Sequence, residues 1–176
     1  MNQSEYEPTT WYDPRLERRV SPTHGHGLFA TAPIRTGETV MNWGGDVYTE
    51  AELATVKLEG AWSYSFIDEG LLMFAPAENL DYFINHSCDP NIWVGAGLAL
   101  IARRDIALDE EIVGDYALWE SEAQIVVESC QCGTALCRSR ITGNDWQRSE
   151  LQQRYAQHFL PFLNRRIAAL QRQQPT

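Results

Sequence analysis

The sequence predicts a mainly β domain with short helices and a helical tail at its C-terminal end. Three observations carry that expectation. Between positions 20 and 102 the apolar residues fall in short pieces separated by Gly and Pro, the rhythm of strands and turns. No strand–helix–strand alternation accompanies them, so a folded-over β architecture fits better than a parallel sheet flanked by helices. From Asp145 onward the pattern changes: Trp146, Leu151, Tyr155, Phe159, Leu163, Ile167 and Leu170 recur near helical spacing, with Arg and Gln between them.

Taken in order, the first ten residues are polar, carry Pro8 and read as a loose arm. Short strands follow at Gly25–Ala30, Glu38–Met41, Ile92–Val94 and Leu98–Ile101. Thr49-Glu50-Ala51-Glu52 has the form of a capping box, because Thr and a Glu three residues later can satisfy each other's free backbone N–H. It opens a short helix expected to run to about Leu58. In the tail, Pro161 removes a backbone donor and should kink the helix or divide it in two. A chain of 176 residues that is 44% hydrophobic has material for one good core.

The four cysteines form one arrangement: Cys130-Gln-Cys132, then Cys137, and a remote Cys88 in the string Asn85-His86-Ser87-Cys88-Asp89-Pro90-Asn91. Three close thiols leave a tetrahedral metal one ligand short, and Cys88 can supply the fourth. Zn²⁺ held by four thiolates at about 2.3 Å is the economical reading. Two disulfides are the alternative in a secreted protein, and unrelated buried thiols are another. Against the first, the N-terminus lacks a basic and then apolar leader. Against the second, Gln131, Gly133 and Thr134 make a polar neighbourhood.

Twenty-four acidic residues against fourteen basic ones leave a formal net charge of −10. That balance argues against general nucleic-acid binding, which needs a basic face, and suits a basic partner such as a lysine-rich protein segment. No run approaches the roughly 18 apolar residues of a membrane span. The expected location is cytoplasmic, or nuclear in a eukaryote, and not secreted. Oligomeric state is not legible. The Asn-His-Ser triplet matches a glycosylation sequon, which an intracellular protein would not use.

In order, Gly25-His26-Gly27-Leu28-Phe29-Ala30, Ile34-x-x-Gly37-Glu38, the Asn85–Asn91 string, Ala102-Arg103-Arg104-Asp105-Ile106, Glu110-Glu111-Ile112, Asp115-Tyr116 and the cysteine cluster occur along one stretch. This series resembles a SET-domain protein-lysine methyltransferase with a zinc-binding post-SET segment. The resemblance covers roughly residues 18 to 146. It implies an arm at 1–17, a SET domain at 18–120, a post-SET zinc segment at 121–146 and a helical tail at 147–176. It also implies a β-clip fold in which residues 85–91 pass beneath a loop near Tyr116 as a pseudoknot. S-adenosylmethionine would bind on one face and the target lysine would enter a channel from the other.

Within that resemblance Tyr116 is the expected catalytic residue. Gly25, His26, Gly27, Tyr64, Asn85 and His86 are the expected cofactor contacts, and Cys88, Cys130, Cys132 and Cys137 the expected zinc ligands. Gly25 and Gly27 let backbone approach a ligand, Asn85 offers an amide that both donates and accepts, and His86 is expected to face the adenine through its backbone. Trp43 stands where the family usually has a tyrosine lining the lysine channel. Gly114 stands where Phe or Tyr is usual, which predicts a roomier channel and a product above monomethyl-lysine. Tyr82 replaces a usual Arg. The rival expectation is a catalytically silent SET-fold module that binds basic peptides or S-adenosylmethionine.

Overall fold

The computed structural model describes residues 6–57 and 60–173. In chain order the elements are β1 (Trp11–Tyr12), β2 (Leu16–Val20), β3 (His26–Ala30), β4 (Thr39–Asn42), β5 (Asp46–Thr49), α1 (Glu50–Leu53), β6 (Trp62–Asp68) and β7 (Leu71–Pro76). They continue as β8 (Asn85–His86), β9 (Ile92–Val94), β10 (Ala99–Ala102), β11 (Glu111–Gly114), β12 (Ile125–Val127), β13 (Ile141–Thr142), α2 (Ser149–Tyr155) and α3 (Pro161–Gln173). Single 3-10 turns lie at Leu80–Phe83, Tyr116–Leu118 and Asp145–Gln147.

The strands form small sheets in the orders β1-β4-β10-β9, β2-β3-β11-β8 and β5-β7-β6, with β12-β13 as a separate pair. Side chains alternate across each strand, so β10 buries Leu100 and Ala102 while Ala99 and Ile101 stay half-covered. The buried faces meet in one core that includes Leu28, Val40, Ile92, Leu100, Ile112 and Leu118. This is the mainly β architecture the sequence predicts, with strands within a residue or two of the expected positions.

The capping box at Thr49 is present, with its hydroxyl accepting from the Glu52 N–H and the Glu52 carboxylate accepting in return. Its helix is shorter than expected and ends at Leu53. The Thr55 hydroxyl bonds the Glu52 carbonyl there, a local bond that competes with helix continuation. Leu58, the expected end, lies outside the described residues.

The arm also differs from the expectation. Residues 1–5 lie outside the described residues, but from Tyr6 the chain is tied down: the Glu7 carbonyl accepts from Gly45 N–H at 2.9 Å and the Thr10 hydroxyl donates to the Gly44 carbonyl at 2.9 Å. β1 then pairs with β4. These backbone partners immobilise a polar stretch that hydropathy alone does not mark.

The tail divides where the sequence predicts. α2 ends at Tyr155, and the φ of 46° at the next residue, Ala156, breaks the helix. Pro161 opens α3, at a position where its missing N–H costs nothing. Tyr155, Phe159, Phe162, Leu163 and Ile167 are buried in the core, and α3 packs on β6, where Arg165 bonds Asp68 and Arg166 pairs with Glu69 at 2.6 Å.

Candidate active site and metal centre

The site is built where residues 85–91 cross β11. β8 runs parallel to β11, with Asn85 opposite Val113 and His86 opposite Gly114. Ser87 N–H donates to the Gly114 carbonyl at 2.8 Å and Asn91 N–H to the Val113 carbonyl at 3.1 Å. The Asn91 side chain closes the stitch, donating to the Glu111 carbonyl and accepting from Val113 N–H at 2.9 Å. The Asn85 amide nitrogen donates to the carbonyls of His24 and His26 and to the Glu111 carboxylate at 2.7 Å. A Cβ on Gly27 would lie 2.0 Å from that carboxylate, so only glycine lets the three meet.

Tyr116 lies two residues past the end of β11 and lines two cavities. One, of about 380 Å³, is lined by Thr23, His24, Asn85, His86 and Tyr116 and by the run Val126–Cys132. The other, of about 240 Å³, is lined by Trp43, Tyr64, Asp81, Tyr82, Tyr116, Trp119 and Glu120 among others. The Tyr116 hydroxyl donates to the Ile84 carbonyl at 2.9 Å. Burial, then the charges of Glu120 and Tyr82, push its pKa up to about 12, so it is a neutral phenol at physiological pH. His86 packs edge-on against it at 5.1 Å and its Nδ1 accepts from the Tyr116 N–H at 3.3 Å.

Below Tyr116 lies a buried polar cluster. Asp115 caps the following turn and accepts two hydrogen bonds from Arg138, at 2.6 and 2.7 Å. The Tyr155 hydroxyl adds a third at 2.8 Å, and Arg138 also reaches Asp145 at 2.9 Å. Both charges are removed from water, so the pairing must be complete for the arrangement to be tolerated. α2, the cysteine segment and Tyr116 are thereby tied to one carboxylate.

The sulfurs of Cys88, Cys130, Cys132 and Cys137 all lie within 4.8 Å of one another, and none is in a disulfide. Four thiolates around a tetrahedral ion at 2.3 Å stand about 3.8 Å apart, so the cluster fits one metal. Backbone N–H groups of Arg138 and Ser139 point at the sulfurs of Cys88 and Cys137, at 3.3 and 3.4 Å, as ligand thiolates require.

The SET domain family model matches residues 25–117, more than half of the chain. This chain is a SET-domain protein. Among curated proteins it is 30% identical over 156 residues to the histone-lysine N-methyltransferase ATX2 of Arabidopsis thaliana, covering 80% of this chain and 14% of that protein. It is 34% identical over 146 residues to the histone-lysine N-methyltransferase ash1 of Drosophila melanogaster, covering 74% of this chain and 6% of that one. The chain thus spans a small fraction of these relatives' length. In fold it is similar to the methyltransferase domain of human histone-lysine N-methyltransferase SETMAR, with a TM-score of 0.51, 23% identity, and coverage of 71% of this chain and 57% of that one.

The expected site positions are divided between the two cavities and the surface. Tyr64 is half-exposed on β6 and lines the smaller cavity, not the one holding Asn85 and His86, because strand alternation turns it to that face. His26 is exposed and packs against Phe83; its neighbours Thr23 and His24 line the larger cavity instead. Gly25 is exposed at the turn that carries them. Trp43 lines the smaller cavity and contacts Trp119 edge-on at 5.4 Å. Gly114 is not an open space: a Cβ there would lie 2.1 Å from the Trp119 ring. Trp119 and Glu120, absent from the sequence-based set, follow Tyr116 and give no spacing signal of their own.

Proposed function

We propose that this SET domain transfers methyl groups from S-adenosylmethionine to the side-chain amine of lysine in a basic protein, with histones the first candidates. One observation carries the reading: Tyr116 belongs to the walls of both cavities, so the donor and the acceptor can approach one point from opposite sides. The larger cavity suits the donor, since Asn85, the backbone near His24 and the carboxylate of Glu128 offer partners for a zwitterion and a ribose while Val126 and Val127 supply apolar wall. The smaller cavity carries Trp43, Tyr64, Tyr82, Trp119, Asp81 and Glu120 and no basic residue, a lining that suits an alkylammonium chain.

Methyl transfer from sulfonium to amine is an in-line displacement: a C–N bond forms as the S–C bond breaks and its electron pair stays on sulfur. The protein must align nitrogen, carbon and sulfur and keep water out. In our reading the Tyr116 hydroxyl and the Ile84 carbonyl it bonds fix that line. Lysine, with a solution pKa near about 10.4, must arrive at the carbon as the free amine, and the positive charge of the sulfonium beside it favours that form.

The metal is zinc in this account, since four thiolates select it over harder ions. It would hold Val126–Cys132, one wall of the donor cavity, against Cys88. Free thiolates belong in a reducing compartment, so we place the protein in the cytoplasm, or the nucleus of a eukaryote. Incubation with isotopically labelled S-adenosylmethionine and purified core histones tests the reading. Label on histone is expected; tight binding of the donor with no transfer to any basic protein would favour the silent module instead.

A further inference from the structure

The smaller cavity is not satisfied by its own walls. Of the carboxylates at it, Asp81 accepts from the Tyr12 hydroxyl at 2.5 Å, and Glu122, just beyond, accepts from the Tyr64 hydroxyl at 3.5 Å. Glu120 lines the cavity, and its carboxylate makes no hydrogen bond or ion pair among the described residues. A carboxylate without a donor in a chamber walled by aromatic rings calls for a guest that donates hydrogen bonds.

We propose that Glu120 receives the substrate ammonium and accepts its proton before methyl transfer. This rests on the reading of the cavity as the lysine channel. The ammonium N–H bond breaks, the carboxylate O–H bond forms, and the free amine keeps the lone pair that attacks the methyl carbon of the sulfonium donor. The alkylated nitrogen carries a positive charge, and the Glu120 carboxyl returns its proton to water, which restores the site for the next cycle.

Position favours Glu120 over the other groups facing it. Glu120 N–H is bonded to the Tyr116 carbonyl at 2.8 Å, so the carboxylate is carried one turn beyond the hinge between the two cavities. Asp81 from the Leu80–Phe83 turn, and Glu122 through Tyr64 on β6, are occupied by hydroxyls, while Tyr82 and Tyr116 are phenols. Burial, reinforced by the charge of Glu122, raises the Glu120 pKa to about 6, which makes it a better proton acceptor than an exposed carboxylate while leaving it ionised at neutral pH.

The test compares rate against pH, from 5 to 10, for the wild-type protein, Glu120→Gln and Glu120→Asp, with core histones as acceptor and donor affinity measured in parallel. Wild-type kcat/KM should rise through pH about 6 and then level off. Glu120→Gln should lose at least tenfold near neutrality, lack that acid limb, and recover steadily as alkaline pH supplies free amine, with S-adenosylmethionine affinity unchanged. Glu120→Asp should keep part of the acid limb. A wild-type protein that transfers no methyl group overturns the underlying reading and this one with it. An active wild type whose Glu120→Gln variant has the same rate and pH profile overturns the role of Glu120 alone, as does a variant loss that is constant across pH.

Discussion

Gly114 and Trp119 occupy one volume: the indole ring fills the space a side chain at position 114 would enter, 2.1 Å from the site of its Cβ. The aromatic surface expected two residues before Tyr116 is supplied from three residues after it. Trp119 is 6% exposed and lies between Trp43 and Tyr116, with ring centroids 5.4 and 5.9 Å away. The roomier channel inferred from Gly114 is therefore not what the fold provides.

Substituting Gly114 tests this packing. Gly114→Ala should destabilise the fold by about 1 to 3 kcal/mol through overpacking, and Gly114→Tyr should fail to fold rather than narrow the channel. Trp119→Leu in the Gly114→Ala background should recover part of the loss, because the two changes act on one space. Denaturant unfolding of the four proteins measures the coupling, and additive effects would place the ring elsewhere.

The Asp115 cluster should behave as a unit. Arg138→Ala leaves a buried carboxylate without its main partner and should cost about 3 to 5 kcal/mol. Tyr155→Phe removes one of three donors and should cost about 1 to 2 kcal/mol. Unfolding by urea reports both. A deletion of α2 and α3 should be at least as damaging as Tyr155→Phe, since it takes away the same donor along with the apolar contacts.

Metal removal should act on the donor cavity before the core. Cys88→Ser and Cys132→Ser should each lower bound zinc well below one per chain by elemental analysis, because each removes one of four ligands. Chelation should then raise hydrogen exchange in residues 126–138 and weaken S-adenosylmethionine binding, while amides of β3, β10 and β11 stay protected.

Glu120 also predicts a stability cost with a definite sign. Its pKa is raised from 4.5 to about 6 on folding, so its protonated form is favoured in the folded state. That favourable contribution is complete below about pH 4.5 and is lost as pH rises through about 6. Glu120→Gln should thus be more stable than wild type by about 1 to 2 kcal/mol at pH 8, with the advantage shrinking toward pH 4. Thermal unfolding at the two pH values measures the difference.

What the sequence made legible was what depends on spacing. The cysteine set and the break at Pro161 follow from residues whose chemistry or geometry has few alternatives, while the Asn85–Asn91 crossing was implied by the family resemblance of the ordered motifs. The facing of individual side chains was harder to read. Tyr64 on a strand can turn to either of two cavities, and alternation fixes its partners only once a register is known. His24 and His26 share a turn, so which one meets the larger cavity depends on backbone dihedrals no composition reveals. Glu120 and Trp119 join Tyr116 in the wall of the smaller cavity through the turn that follows it, which no spacing pattern announces.

The account rests on transfer across Tyr116, and one measurement addresses it most directly: peptide mass spectrometry of histones after incubation with S-adenosylmethionine and either wild-type protein or Tyr116→Phe, with donor affinity determined by calorimetry. The expected result is methyl groups on specific lysines with wild type, at least a hundredfold less with Tyr116→Phe, and donor affinity within a few fold, because the hydroxyl acts on alignment in the transition state. Asn85→Ala should show the reverse, a weakened donor complex. Equal lysine methylation by wild type and Tyr116→Phe would contradict the claim that the reaction crosses at this residue.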